Sequence, residues 1–175
     1  MDCKKLVIFL DSGDTLIDES TEVRDKAGIV QRAQMVPGAY KTVRTLAERG
    51  YTLVLVADGE FLSFQHSLTQ NGMYQYFSAL IVSEIIRARK PDPRMFQAAM
   101  GAVNLGDHDR GRIVMVGNNL SRDIRGANQM GFTSVFLDWS PRYPKEPANE
   151  LEKPNYVLHT PPDLLALADR LERKL

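Results

Sequence analysis

Four short polar segments of this 175-residue chain carry residues able to do chemistry. They are Asp11-Ser12-Gly13-Asp14-Thr15, Ala57-Asp58-Gly59, Arg89-Lys90-Pro91-Asp92-Pro93 and Gly117-Asn118-Asn119-Leu120-Ser121-Arg122-Asp123. A carboxylate can act as a nucleophile that splits a group transfer into two easier steps. A lysine, together with a cation held by hard oxygen ligands, can stabilise the spread negative charge of a phosphoryl group, whose transfer depends mainly on positioning and electrostatics. Taken singly, each residue has an ordinary alternative. For Asp11 it is a capping or turn aspartate, for Lys90 a solvated lysine before a proline turn, and for Asp123 a first-turn helix carboxylate, each the lesser reading.

What joins these segments is the elements before them. Apolar runs at 6–10, 52–57, 79–82, 112–116, 133–137 and 156–158 show no polar alternation, the pattern of strands covered on both faces. Between them lie stretches of helical periodicity. Pro37 opens one that carries Val43, Leu46 and Ala47, and Gly50 closes it. A second, over about 60–70, turns Phe61, Phe64 and Leu68 inward. Asp92 as N-cap with Pro93 at the first position starts a third, built on Phe96, Ala99, Met100 and Val103. Ser121 begins a fourth that Gly131 ends, and Leu164, Leu167, Ala168 and Leu171 mark the last. This alternation predicts an α/β/α three-layer sandwich, Rossmann-like, with a predominantly parallel sheet of five or six strands and a single core domain over 1–175. Ligands of such a sheet bind beyond the carboxyl ends of its strands. The four polar segments fall there, the third after a short intervening helix. Segment 18–36 places Val23, Ala27, Val30 and Ala33 at helical spacing and predicts a short amphipathic helix, weakened by Gly28. Segment 141–154, rich in proline and charge, predicts a surface loop.

Composition narrows the function classes. Lys plus Arg and Asp plus Glu are 22 each, so no global field draws nucleic acid or anionic lipid. The basic run Arg87, Arg89 and Lys90 has no interleaved aromatics and reads as a solvated helix end. His66, His108 and His159 lack ligand spacing. The single cysteine, Cys3, offers neither a disulfide nor a metal cluster, which suits a reducing compartment. No apolar run approaches a membrane span or a signal-peptide core, so the expectation is a soluble cytoplasmic protein with no membrane partner.

In order and position the four segments resemble the motifs of the haloacid dehalogenase superfamily, over about 5–137. That family ends its first strand in Asp-x-Asp-x-Thr, its second in Ser or Thr, then has a Lys commonly before Pro, and ends its fourth strand in an acidic Gly-Asp motif. The resemblance implies a Mg²⁺-dependent phosphatase acting through an aspartyl-phosphate on a phosphorylated substrate, small molecule or larger. It makes Asp11 nucleophile and metal ligand, Lys90 the partner of Asp11 and of the phosphoryl oxygens, and Thr15 a brace of the loop. Gly13 through its carbonyl, Asn118 and Asp123 complete the metal set, and the Asp58 and Gly59 backbone would meet the phosphoryl group.

Three departures temper this. Gly13 replaces the second Asp, which in the family protonates the leaving group and activates water, work worth roughly 10² to 10⁴ in rate. Asp14 is acidic but one position away and reads as a loop-bracing carboxylate. Ala57 replaces the hydroxyl residue, with Asp58 reading as the N-cap of the next helix or as a displaced acid. Asn118 replaces an acidic metal ligand and contributes no charge, so cation affinity should be weak. Two readings follow, a slow open-site hydrolase or a catalytically impaired binding or regulatory protein that keeps the fold. Metal-free dehalogenation fits poorly, since 18–36 is too short for a cap that would enclose a small haloacid. Without a cap, water exclusion falls to a bulky substrate or a partner subunit, which leaves a homodimer open. Arg24, Lys26 and Arg32 on the 18–36 segment could reach a phosphate.

Overall fold

The computed structural model describes residues 5–175; Cys3 lies outside them. In chain order the elements are β1 (Val7–Leu10), β2 (Val23–Arg24), β3 (Val30–Arg32), α1 (Ala39–Glu48), β4 (Thr52–Ala57), α2 (Phe61–Gln70), β5 (Ala79–Val82) and α3 (Ser83–Ile86). There follow α4 (Pro93–Ala102), β6 (Ile113–Gly117), α5 (Arg125–Met130), β7 (Thr133–Leu137), β8 (Tyr156–Leu158) and α6 (Asp163–Glu172). Six strands pair in parallel in the order β5-β4-β1-β6-β7-β8. The pleat sends Ile8 and Leu10 to one face and Val7 and Phe9 to the other. On the first face they meet Val43 and Leu46 of α1 and Leu164 and Leu167 of α6. On the second they meet Met95, Phe96 and Met100 of α4 and Ala127 and Met130 of α5. Both faces are therefore covered, which is why the strands show no alternation, and the result is the expected three-layer Rossmann-like sandwich.

The chain runs outward from β1 to β4 and β5, then returns to place β6 on the other side of β1. Strand order reverses there, and the loops leaving β1 and β6 diverge around a crevice. Asp11 directly follows β1, and Asn118 directly follows β6. Asp92 caps α4 as its position predicts, its carboxylate accepting from the Arg94 N–H at 2.9 Å.

Several local expectations are corrected. Segment 18–36 is not a helix but a 3₁₀ turn (Glu19–Thr21) followed by the antiparallel hairpin β2–β3. Asp25 Oδ1 accepts from the N–H groups of Ala27 and Ile29, and Gly28 takes φ +85°, so 25–28 is a built turn that interrupts the apparent helical period. Val30 and Ala33 are buried and Val23 is 43% exposed, consistent with a ribbon laid on α2. The inward face of α2 is also different, with Ser63 and Ser67 buried beside Leu68 while Phe61 and Phe64 are half-buried. The fourth helix is capped by Asn119 rather than Ser121 and begins with a wide π turn over Leu120–Ile124.

Gly126 of α5 is buried where α5 crosses α4, and a β-carbon there would come 2.3 Å from the Phe96 ring, itself packed edge-on against Phe132. Gly126→Ala should lower stability by about 1–3 kcal/mol through overpacking. Gly101→Ala, on the exposed side of α4 with nothing within 4 Å, should raise it by about 0.5–1 kcal/mol. Urea unfolding midpoints at unchanged slope measure both.

Candidate active site

The Lys90 ammonium is the centre of the site. Its side chain is 2% exposed, and Nζ lies 2.7 Å from Asp11 Oδ1, 2.7 Å from Asp123 Oδ1 and 2.7 Å from the Val56 carbonyl. Two of its donors are spent in hydrogen bonds to Asp11 and the Val56 carbonyl, and Asp123 answers the charge as an ion pair at the same distance. Burial alone would discharge the amine, but the carboxylates of Asp11, Asp123 and Asp58 outweigh it and hold its pKa above the ordinary lysine value. Asp123 is as deeply buried. Burial pushes its carboxyl up to about 6 against the pull of Lys90, with the Asp11 charge adding to the rise. Its Oδ2 accepts from the Asn119 N–H at 3.0 Å. Asp123 packs so closely on the end of β6 that a β-carbon at Gly117 would lie 2.3 Å from its carboxyl group, which is why glycine stands there.

Asp11 faces a polar cleft of about 180 Å³ at the mouth of β1, lined also by Ser12, Gly13, Glu19, Asp58, Arg122 and Tyr143. Oδ1 is held by Lys90, and no hydrogen bond among the described residues engages Oδ2. Asn118 is 5% exposed, and neither its Oδ1 nor its Nδ2 has a hydrogen-bond partner among the described residues. A buried amide left unpaired in this way calls for an explanation, and a ligand or ion is one.

The remaining expected positions are placed as follows. Asp58 lines the cleft but caps nothing; Glu60 precedes α2 as its cap residue. The Asp58 carboxylate instead accepts from the Lys90 backbone N–H at 3.0 Å and faces Arg122 Nη1 at 3.5 Å, so it holds the lysine loop. The Gly59 N–H is already given to Ser83 Oγ at 2.9 Å. Thr15 lies away from the cleft, on a small apolar cavity with Val43, Leu46 and Leu164, and its hydroxyl has no partner among the described residues. Asp14 is 1% exposed; Oδ1 accepts from the Glu19 N–H at 3.0 Å, and Oδ2 accepts from Ser140 Oγ at 2.8 Å and Arg142 Nε at 2.5 Å. It is the loop brace that its shifted position predicts. Arg24 lines the cleft, bonded to Glu22 and to the Gly28 carbonyl, whereas Lys26 and Arg32 are exposed away from it.

Sequence reading missed Glu19, Arg142 and Tyr143. Arg142 and Tyr143 come from the loop after β7 read as plain surface; Arg142 lies 3.4 Å from Glu19 Oε2, and the Arg122 guanidinium lies 5.0 Å from the centre of the Tyr143 ring. Burial and the Asp14 charge raise the Glu19 carboxyl above the usual glutamate range, against the pull of Arg142. The signal available for Glu19 was the gap at Gly13, which asks what fills that space.

The profile of the haloacid dehalogenase-like hydrolases matches residues 5–131. The chain belongs to this family. It is 28% identical over 137 residues to a glyceraldehyde 3-phosphate phosphatase of Methanopyrus kandleri, covering 78% of this chain and 58% of that one. It is 30% identical over 128 residues to the pyrophosphatase PpaX of Halalkalibacterium halodurans, covering 73% and 57%. The crystal structure of a haloacid dehalogenase superfamily phosphatase from Thermococcus onnurineus superposes with a TM-score of 0.66 at 27% identity, covering 77% and 58%. The chain thus spans little more than half the length of the curated relatives it matches. No helix of the described residues is long and apolar enough to cross a membrane.

Removing the shared ammonium would leave two buried carboxylates facing one another. Lys90→Met should cost about 3–5 kcal/mol, the scale for breaking a buried ion pair. Adding Asp123→Asn should return part of that loss, read as non-additivity in denaturant unfolding.

Proposed function

We propose that this chain is a Mg²⁺-dependent phosphatase working through an aspartyl-phosphate on Asp11. The observation that carries the reading is the Asp11 carboxylate, one oxygen fixed by a buried ammonium at 2.7 Å and the group as a whole open to a polar cleft. The relatives named as phosphatases support it, as does family membership. A small phosphorylated substrate fits a cleft of about 180 Å³ with Arg24 and Arg122 on its walls.

The residues present fit a hard divalent cation. No three His, Cys, Asp or Glu side chains cluster among the described residues, but a magnesium site needs only one or two carboxylates with neutral oxygens and water. Asp11 and Asp123 supply the carboxylates, lying within 2.7 Å of one nitrogen and so within twice that of each other. The unpaired Asn118 amide supplies a buried neutral oxygen, and Gly13, which lines the same cleft as Asp11, would add its carbonyl as a further donor. Bound there, the cation would neutralise charge developing on the transferred phosphoryl group. With Lys90 already balancing one carboxylate, only about one net negative charge remains among these three side chains, which agrees with weak cation affinity.

The protein's own part is positional. Lys90 fixes the Asp11 rotamer through one oxygen, so that the unengaged oxygen is the attacking atom. With Asp11, Asp123 and the Val56 carbonyl already 2.7 Å from the ammonium, a phosphoryl oxygen would have to crowd in beside them or displace one. Arg122, held over Tyr143 beside Asp58, offers the cleft a further cation. The crowded Lys90 ammonium and the committed Gly59 N–H favour a second reading, a binding protein without turnover.

With Mg²⁺ or Mn²⁺, a panel of phosphate esters and anhydrides should show phosphate release that Asp11→Asn reduces to background. Mg²⁺ with beryllofluoride should raise the melting temperature of the native protein, as a ligand selective for the folded state does, and leave Asp11→Asn unmoved. Binding without release from any ester would favour the second reading, and neither would overturn the first.

A further inference from the structure

A β-carbon built on Gly13 would lie 1.8 Å from Glu19 Oε1, 2.6 Å from its Cδ and 2.9 Å from its Cγ. The space a side chain at position 13 would occupy is thus already filled by a carboxyl group, delivered from the 3₁₀ turn six residues along the chain. Its placement is built. Asp18 caps the turn by accepting from the Ser20 N–H at 2.9 Å, and the Glu19 N–H is tied to Asp14, itself locked by Arg142 and Ser140. Arg142 approaches Oε2, leaving Oε1 on the Gly13 side. Glu19 lines the same cleft as Asp11, and its side chain is 30% exposed, so substrate and water both reach it. The other nearby carboxylates are committed: Asp14 to Arg142, Asp58 to the Lys90 loop, and Glu22 to Arg24 at 2.5 Å.

We propose that Glu19 is the general acid–base of this site, doing from position 19 the work for which position 13 has no side chain. This rests on the reading of Asp11 as nucleophile. In the first step an Asp11 oxygen bonds to phosphorus and the bond from phosphorus to the leaving oxygen breaks. That oxygen keeps the electron pair and takes the proton of the Glu19 carboxyl. In the second step the Glu19 carboxylate takes a proton from water, whose oxygen bonds to phosphorus. The bond from phosphorus to Asp11 breaks, its electron pair returns to the carboxylate, and phosphate leaves with Glu19 protonated again.

The test uses 4-nitrophenyl phosphate, whose leaving group departs without an acid. Glu19→Gln should release nitrophenol in a burst of a single turnover. A steady rate lower by about 10² to 10⁴ should follow, the scale of lost acid–base help, with phosphorylated protein accumulating by intact mass. Asp11→Asn should show no burst. Glu19→Ala repeats the reading with the side chain removed. Gly13→Asp alone should fold less stably, because two side chains compete for one space, whereas Gly13→Asp/Glu19→Ala should regain both the melting temperature and the steady rate. An unchanged steady rate in both Glu19 variants, with Asp11→Asn silent, overturns this assignment and leaves the phosphatase reading standing. A double variant no better than Gly13→Asp also overturns it. Absence of any Asp11-dependent release from the native protein overturns both.

Discussion

One buried positive charge organises this molecule. An ammonium sealed from water is tolerable only when its donors are satisfied and its charge is answered, and Lys90 meets both conditions through Asp11, Asp123 and the Val56 carbonyl. Those partners belong to three different strand ends, so a single side chain ties the tips of β1 and β4 to the turn after β6. The requirement propagates outward. Gly117 must be small to admit Asp123, Asp58 must hold the Lys90 backbone, and Asn119 must open the turn that carries Asp123.

Charge accounting also explains why the site tolerates its departures from the family pattern. A third carboxylate beside Asp11 and Asp123 would add repulsion that one lysine cannot answer, and burial already pushes Asp123 toward its neutral form. An amide at Asn118 keeps an oxygen donor in place without that repulsion. The Lys90 ammonium by itself already answers about one of the two carboxylate charges.

The sheet was legible because its signal is local and redundant. Each parallel strand is buried on both faces, so each apolar run stands out by itself, and β4, β5, β7 and β8 coincide with the runs that predict them. The site was legible where residues sit at strand ends, since topology alone sends Asp11, Asp58 and Asp123 to one edge. Three things were not. The period of Val23, Ala27, Val30 and Ala33 fits a helix as well as a hairpin, and only the turn built by Asp25 and Gly28 decides between them. Asp58 has the composition of a cap, yet the tertiary demand of the Lys90 loop claims it. Arg142 and Glu19 lie 123 positions apart, and no spacing rule connects a proline-rich loop to a turn near the amino end.

The hairpin β2–β3 lies beside the cleft and is fastened to α2 by polar contacts as well as by the buried Val30 and the Ala33 that follows it. Val30 N–H donates to Ser63 Oγ, His66 Nδ1 donates to the Val30 carbonyl, Ala33 N–H donates to Gln70 Oε1, and Gln70 Nε2 and Asn71 Nδ2 both donate to the Ala33 carbonyl. Directional bonds of this kind fix a ribbon at one distance and one angle, where a greasy seam would let it slide. Glu22 and Arg24 near the hairpin line the cleft together with Ser63 and Ser67 of α2, so these bonds join two parts of one wall. On the phosphatase reading, a substrate bound near Asp11 would lie against a wall whose two halves are stitched to each other.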